Sequence, residues 1–249
     1  MQNFNNFLDK KMIEHLRKKG IHIDPNSVEQ DRDKRMHDAD LKATRAYMKN
    51  NRNIIFNNSL FGNGEDINKC FDDFNVTDDK QNSELEQVIS ITKRIENGEK
   101  HKFIFYGKPG TGKTMLAISL LNKLKDKYSC LFVDIARFIE LTKNFNDERA
   151  KLQVNSLYKA MRNVDVLVID DLGSESSMQR SASEASTYNQ RILFNIAQSR
   201  DDKTTIITTN NTGAELKRIY NPKLVSKLMY TASNNVISFN SSDYRLLKN

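Results

Sequence analysis

Hydrophobic residues come in two rhythms along these 249 residues, and the change of rhythm divides the chain. Near the start, Phe4, Leu8, Met12 and Leu16 recur at steps of four, with Phe7 beside them. That spacing predicts one helix with a single apolar stripe, ended by Gly20 and followed by Asp24-Pro25. From Ser27 to Asn51 the chain is charged and its apolar residues are sparse: Val28, Met36, Leu41, Ala46 and Tyr47. A helix there has little to bury by itself. It is either a solvated helix or one that becomes ordered on a partner. Residues 56–69 carry Asn-Asn-Ser and Gly-x-Gly signals and read as a linker. Ser83 to Asn97 reads as a helix with Leu85, Val88, Ile89, Thr92 and Ile95 on one face and Gly98 at its end.

Beyond residue 101 short apolar runs alternate with helical patterns. Strands are expected at 102–106, 130–134, 165–169, 204–209 and 235–239. Continuous apolar strands joined by helical crossovers imply an α/β fold: a parallel five-stranded sheet with helices on both faces. The expected organisation is a small helical domain at 1–55, a linker at 56–69 and a larger α/β domain at 70–249.

Gly107-Lys108-Pro109-Gly110-Thr111-Gly112-Lys113-Thr114 joins the first of these strands to a helix, Met115–Leu124. Strand, G-x-x-x-x-G-K-[ST], helix is the context of a phosphate-binding loop. Glycines let the backbone wrap closely, so that N–H groups meet phosphate oxygens. The helix N-terminus adds partial positive charge. Lys113 would neutralise the β- and γ-phosphates of ATP, and Thr114 would offer its hydroxyl to Mg²⁺. Val166-Leu-Val-Ile-Asp170-Asp171 ends a strand on acids, at the sheet edge where such folds bind ligands. Asp170 would hold Mg²⁺ and Asp171 would polarise the attacking water. Thr204-Thr-Ile-Ile-Thr-Thr ends on Asn210, either a γ-phosphate contact or an ordinary turn former.

Composition narrows the classes. Charged residues make up 29% and apolar residues 38%, which suits a soluble protein. No apolar run approaches the ~20 residues of a membrane span. The first residues show no basic flank followed by an apolar stretch, so no secretory signal is expected. Cys70 and Cys130 with four histidines make neither a disulfide framework nor a zinc site. A reducing, cytoplasmic compartment is the expectation. The net charge of +7 is spread, with +3 in residues 1–70 and +4 in the remainder. That permits nucleic-acid contact without requiring it.

The order Gly-Lys-Pro-Gly-Thr-Gly-Lys-Thr, Val-Leu-Val-Ile-Asp-Asp-Leu-Gly, Thr-Ile-Ile-Thr-Thr-Asn and a terminal Ser242-Asp-Tyr-Arg245-Leu resembles the AAA+ replicative-helicase loaders of the DnaC/DnaI type. The IstB-like transposition ATPases are close relatives. The resemblance spans about residues 70–247. It implies a P-loop NTPase of the AAA+ class that binds ATP and Mg²⁺, grips a hexameric helicase and helps place it on single-stranded DNA. Residues 1–55 occupy the place of the helicase-binding domain, with the Phe4–Leu16 stripe as docking surface or internal core. Lys223 and Lys227 stand where the family has a pair of arginines acting on a neighbouring subunit's nucleotide, which implies self-association. Arg245 stands where a nucleotide-sensing arginine is expected. Between the second and third strands Arg137, Phe138, Lys143, Phe145, Arg149 and Lys151 combine bases with aromatics. They are either a single-stranded DNA surface or core aromatics with solvated charges. The alternatives are a transposase-assisting ATPase and a scaffold that binds nucleotide without turnover.

Overall fold

The computed structural model describes residues 14–15, 18–20, 25–62, 64–143, 147–174 and 186–243, with the backbone alone for 25–32. The Phe4–Leu16 stripe, Phe145 and Arg245 lie outside them. The chain divides into two compact units, residues 1–50 and 51–249.

Helix α1 (Pro25–Asn57) begins on a proline, whose missing N–H costs nothing in a first helical turn. In the first unit its apolar side chains are exposed: Met36, Leu41, Tyr47 and Met48.

The second unit is an α/β sandwich. Its helices and strands follow the order α2 (Asp79–Glu96), β1 (Lys102–Gly107), α3 (Lys113–Leu124), β2 (Cys130–Asp134), α4 (Ile135–Leu141), α5 (Glu148–Asn163), β3 (Val166–Asp170), α6 (Thr187–Gln198), β4 (Thr204–Thr209), α7 (Gly213–Ile219), α8 (Pro222–Met229) and β5 (Val236–Phe239). All neighbouring strands pair in parallel, in the order β2-β3-β4-β1-β5. The five expected strands are therefore present within a residue or so of their expected ends.

Strand alternation sends side chains to two cores. On one face Leu131, Val133, Leu167, Ile169 and Ile207 pack under α4 to α8. On the other Phe103, Phe105, Phe132, Val168, Ile206 and Phe239 pack under α2 and α3. Each fully buried side chain of this size stabilises the fold by roughly 1.5–3 kcal/mol. Phe138 belongs to the first core and has no exposed surface. It cannot stack on a base, because the inward face of α4 is Ile135, Phe138 and Ile139.

Residues 56–69 are not a free linker. Phe56 and Leu60 are buried. The Leu60 N–H donates to the Phe132 carbonyl and its own carbonyl accepts from the Asp134 N–H, both at 2.8 Å. The Phe61 ring stacks on Phe132 at 4.7 Å. The polar composition that suggested a linker hid a few apolar residues that cover the edge of β2.

At the end of the sheet where the strands begin, Arg200 is buried, with its guanidinium donating to the carbonyls of Met161, Val164 and Thr204 and to the Thr205 hydroxyl. Burial lowers its pKa to about 9, so it remains cationic at neutral pH.

Candidate nucleotide site

The parallel strands aim their C-terminal ends at one edge, and β1, β3 and β4 each deliver chemistry there. The loop after β1 is shaped by three left-handed glycines, Gly107, Gly110 and Gly112, with φ of 150°, 77° and 92°. Close neighbours also exclude a Cβ. One at Gly107 would meet the Phe239 carbonyl, and one at Gly112 would meet the Phe74 ring. Lys113 is buried, and its Nζ donates to the carbonyls of Gly107 at 2.9 Å and Lys108 at 2.6 Å. The Thr111 hydroxyl donates to the same Lys108 carbonyl at 2.9 Å. The loop is thus folded around its own lysine, with the start of α3 behind it.

At the end of β3, Asp170 is 2% exposed. Thr114 Oγ1 lies 3.1 Å and 3.2 Å from its two carboxylate oxygens, and Thr208 Oγ1 donates to it at 2.6 Å. Burial above all pushes the Asp170 carboxyl up to about 8; the Glu65 charge adds to this and the two hydroxyls oppose it. Asp171 takes φ 54°, a left-handed conformation that Asp tolerates. Its N–H donates to Thr208 Oγ1 at 2.8 Å, and its carboxylate accepts from Asn210 Nδ2 at 2.8 Å. The turn continues through Leu172, whose carbonyl accepts from Thr209 Oγ1 at 2.7 Å, to Gly173 at φ 99°. Two successive threonines of β4 therefore fix the acidic turn of β3.

The groups meet around a cleft of about 350 Å³ lined by Lys113, Thr114, Asp170, Asp171, Thr208 and Asn210, within the range for small-molecule sites. Phe74, Met115 and Ile118 give it an apolar flank. The segment covering β2 supplies Glu65, whose Oε2 accepts from the Gly62 N–H at 2.8 Å. Burial raises the Glu65 pKa, the Gly62 N–H opposes this, and Asp134 and Asp171 raise it further. Glu65, Thr208 and Thr209 escaped the sequence reading. The doubled threonine before Asn210 was the available signal; nothing local marks Glu65.

Glu65, Asp170 and Asp171 lie close together in the corner beside Thr114, and a cation there would relieve their repulsion. Among the described residues no group of three or more His, Cys, Asp or Glu side chains is arranged to hold a metal by itself. A hydroxyl and one carboxylate suit Mg²⁺, which keeps its waters and shares phosphate oxygens. Thr114 and Asp170 are the residues that would hold it. When bound, the ion would neutralise phosphate charge. The loop N–H groups and Lys113 would hold the phosphates, and Asp171 with Asn210 would orient a water.

Other expected residues lie elsewhere. Lys227 pairs with Asp201 at 2.6 Å, and Asp201 is also 3.9 Å from Lys102 at the start of β1. Lys227 is thus at the opposite end of β1 from the phosphate loop. Lys223 is exposed on the same helix. Arg137, Lys143, Arg149 and Lys151 are exposed; Arg137 donates to the Phe61 carbonyl and Lys151 pairs with Glu148 at 2.6 Å.

Residues 103–231 match the model of the ATPase family associated with various cellular activities. The chain belongs to the AAA family. It is 27% identical over 181 residues to the replicative helicase loader DnaC of Escherichia coli K12, covering 72% of this chain and 69% of that protein. The crystal structure of DnaI superposes with a TM-score of 0.57 at 21% identity, covering 74% of this chain and 95% of that one. AMPPCP-bound DnaA from Aquifex aeolicus superposes at 0.53 and 20% identity, covering 70% of this chain and 50% of that one. This AAA protein accordingly has the fold of replication ATPases, and curated relatives are named as replicative helicase loaders. Among the described residues no helix is long and apolar enough to cross a membrane.

Proposed function

We propose that this AAA protein is an ATP-dependent loader of a replicative hexameric helicase. The observation that carries the reading is the convergence of Lys113, Thr114, Asp170, Asp171 and Asn210 on one cleft; the loaders among its relatives support the partner. ATP with Mg²⁺ holds one conformation and hydrolysis releases it. Asp171 is one methylene shorter than glutamate and reaches less far toward a water, so turnover is slow. Residues 1–55 bind the helicase. Arg137, Lys143, Arg149 and Lys151 contact the phosphates of single-stranded DNA. Lys223 or Lys227 acts on the nucleotide of a neighbouring copy. Lysine offers a point charge without the guanidinium fork, so stimulation by self-association is modest.

The test is co-purification of the full chain and of a 56–249 form with the host's replicative helicase, with and without ATP, beside a phosphate-release assay. Helicase capture that needs residues 1–55, with turnover lost in Lys113→Ala, is the expected result. Helicase capture that is unaffected by deleting 1–55 would move the docking surface. Capture of neither form would remove the loading role.

A further inference from the structure

The phosphate loop is braced from a direction that nucleotide binding does not explain. Gly110, the middle glycine, lies against Asp243: a Cβ there would fall inside the Asp243 carboxylate. Asp243 stands four residues beyond β5, on a turn that is itself anchored. The Asn240 and Ser241 N–H groups donate to Glu84 Oε1 at 2.7 and 3.0 Å, and Ser241 Oγ donates to Glu84 Oε2 at 2.7 Å. Glu84 sits on α2 and is 3% exposed. Its carboxylate meets its partners by charge-assisted bonds, across more than 150 residues of sequence. The shallow space between Lys108, Pro109 and residues 240–243 shows that this turn runs along the outside of the loop.

Two things follow physically. A buried carboxylate is costly unless it is fully bonded, and here its hydrogen bonds go to holding one turn. That turn presses a negative charge against a loop built to receive negative charge. We infer that Glu84 and Asp243 form a latch on the phosphate loop, with Glu84 the positioning residue and Asp243 the group that opposes phosphate entry. This rests on the nucleotide reading above and deepens it: seating a triphosphate favours displacement of the 240–243 turn.

The experiment titrates a fluorescent ATP analogue with Mg²⁺ into the full chain and into Asp243→Asn, Glu84→Ala, Ser241→Ala and the Glu84→Ala/Asp243→Asn pair. Asp243→Asn keeps the shape and removes the charge. It should tighten binding about three- to ten-fold, the size of one unit charge acting across several ångströms in a water-facing cleft. Ser241→Ala and Glu84→Ala should tighten it in the same direction. In the Glu84→Ala background Asp243→Asn should have little further effect, since coupled residues are non-additive. A Glu84 that merely stabilises the fold would lower the melting temperature and leave the affinity of the folded protein unchanged. Should Glu84→Ala fail to fold, Asp243→Asn and Ser241→Ala decide alone. Unchanged or weaker binding in Asp243→Asn, with Lys113-dependent binding in the parent, overturns the latch and leaves the nucleotide site standing. No binding by the parent or by any variant overturns the nucleotide site and the latch together.

Discussion

Asp170→Asn should make the nucleotide-free protein more stable while impairing its chemistry. The carboxyl rises from its ordinary value of 3.8 to about 8, mainly because it is buried. A group whose folded-state pKa is raised contributes stability that is fully present below pH 3.8. That contribution is lost as pH rises through about 8. At pH 7 the cost, ~1.4 kcal/mol per pKa unit over about three units, has a ceiling on the order of 4 kcal/mol. Asparagine retains an oxygen for the Thr208 and Thr114 hydroxyls, so part of the network survives. A net gain of about 1–3 kcal/mol is expected, which is roughly 2–12 °C in melting temperature for a domain of this size. The assay is thermal unfolding of parent and variant from pH 5 to pH 8 without nucleotide or divalent ion. The gap should widen as pH rises, because the Asp170 carboxyl titrates in the parent alone. With Mg²⁺ and ATP the order should invert, since the parent gains a ligand that the variant holds poorly. A variant that melts at or below the parent across the whole window would refute the reasoning.

Lys113→Ala should weaken ATP binding by about a hundred-fold or more while leaving the circular dichroism of the parent; equal affinity by calorimetry would remove the lysine from the site. Arg200→Met should cost about 3–5 kcal/mol in chemical denaturation, because it strands buried carbonyls that now share one cation. Phe138→Ala should destabilise by about 3–5 kcal/mol, and binding of labelled single-stranded DNA should be unchanged once the folded fraction is matched. In the native protein Cys70 should react readily with a thiol reagent and Cys130 should not. Cys70 is exposed, whereas burial pushes the Cys130 thiol far above its usual range.

What the sequence made legible was local. The strands announced themselves by short apolar or β-branched runs, and the phosphate loop by glycines at left-handed positions. The acid pair of β3 could be read because a hydrophobic strand ran straight into it. What stayed hidden were bonds made across long separations. Thr208 looks like any β-branched strand residue until β4 lies beside β3. Glu84 looks like a solvated position on an amphipathic helix until the turn after β5 returns to it. Arg200 resembles a surface charge just past a helix, yet folding gathers carbonyls around it. Phe138, which its charged neighbours left open between a surface and the core, belongs to the core because Ile135 and Ile139 turn it inward. At 56–69 polar residues outnumber the few apolar ones that decide where the segment goes.

The main-chain bridge at Leu60 ties the segment that follows the buried Phe56 to the C-terminal end of β2. Five residues later the same stretch of backbone carries Glu65 at the rim of the cleft. A tug would therefore arrive at Asp170 as a change in local charge as well as in position. The anchor and the acidic corner lie at the same end of the sheet, where Asp134 pairs with Asp170, and Glu65 gives them a short electrical link.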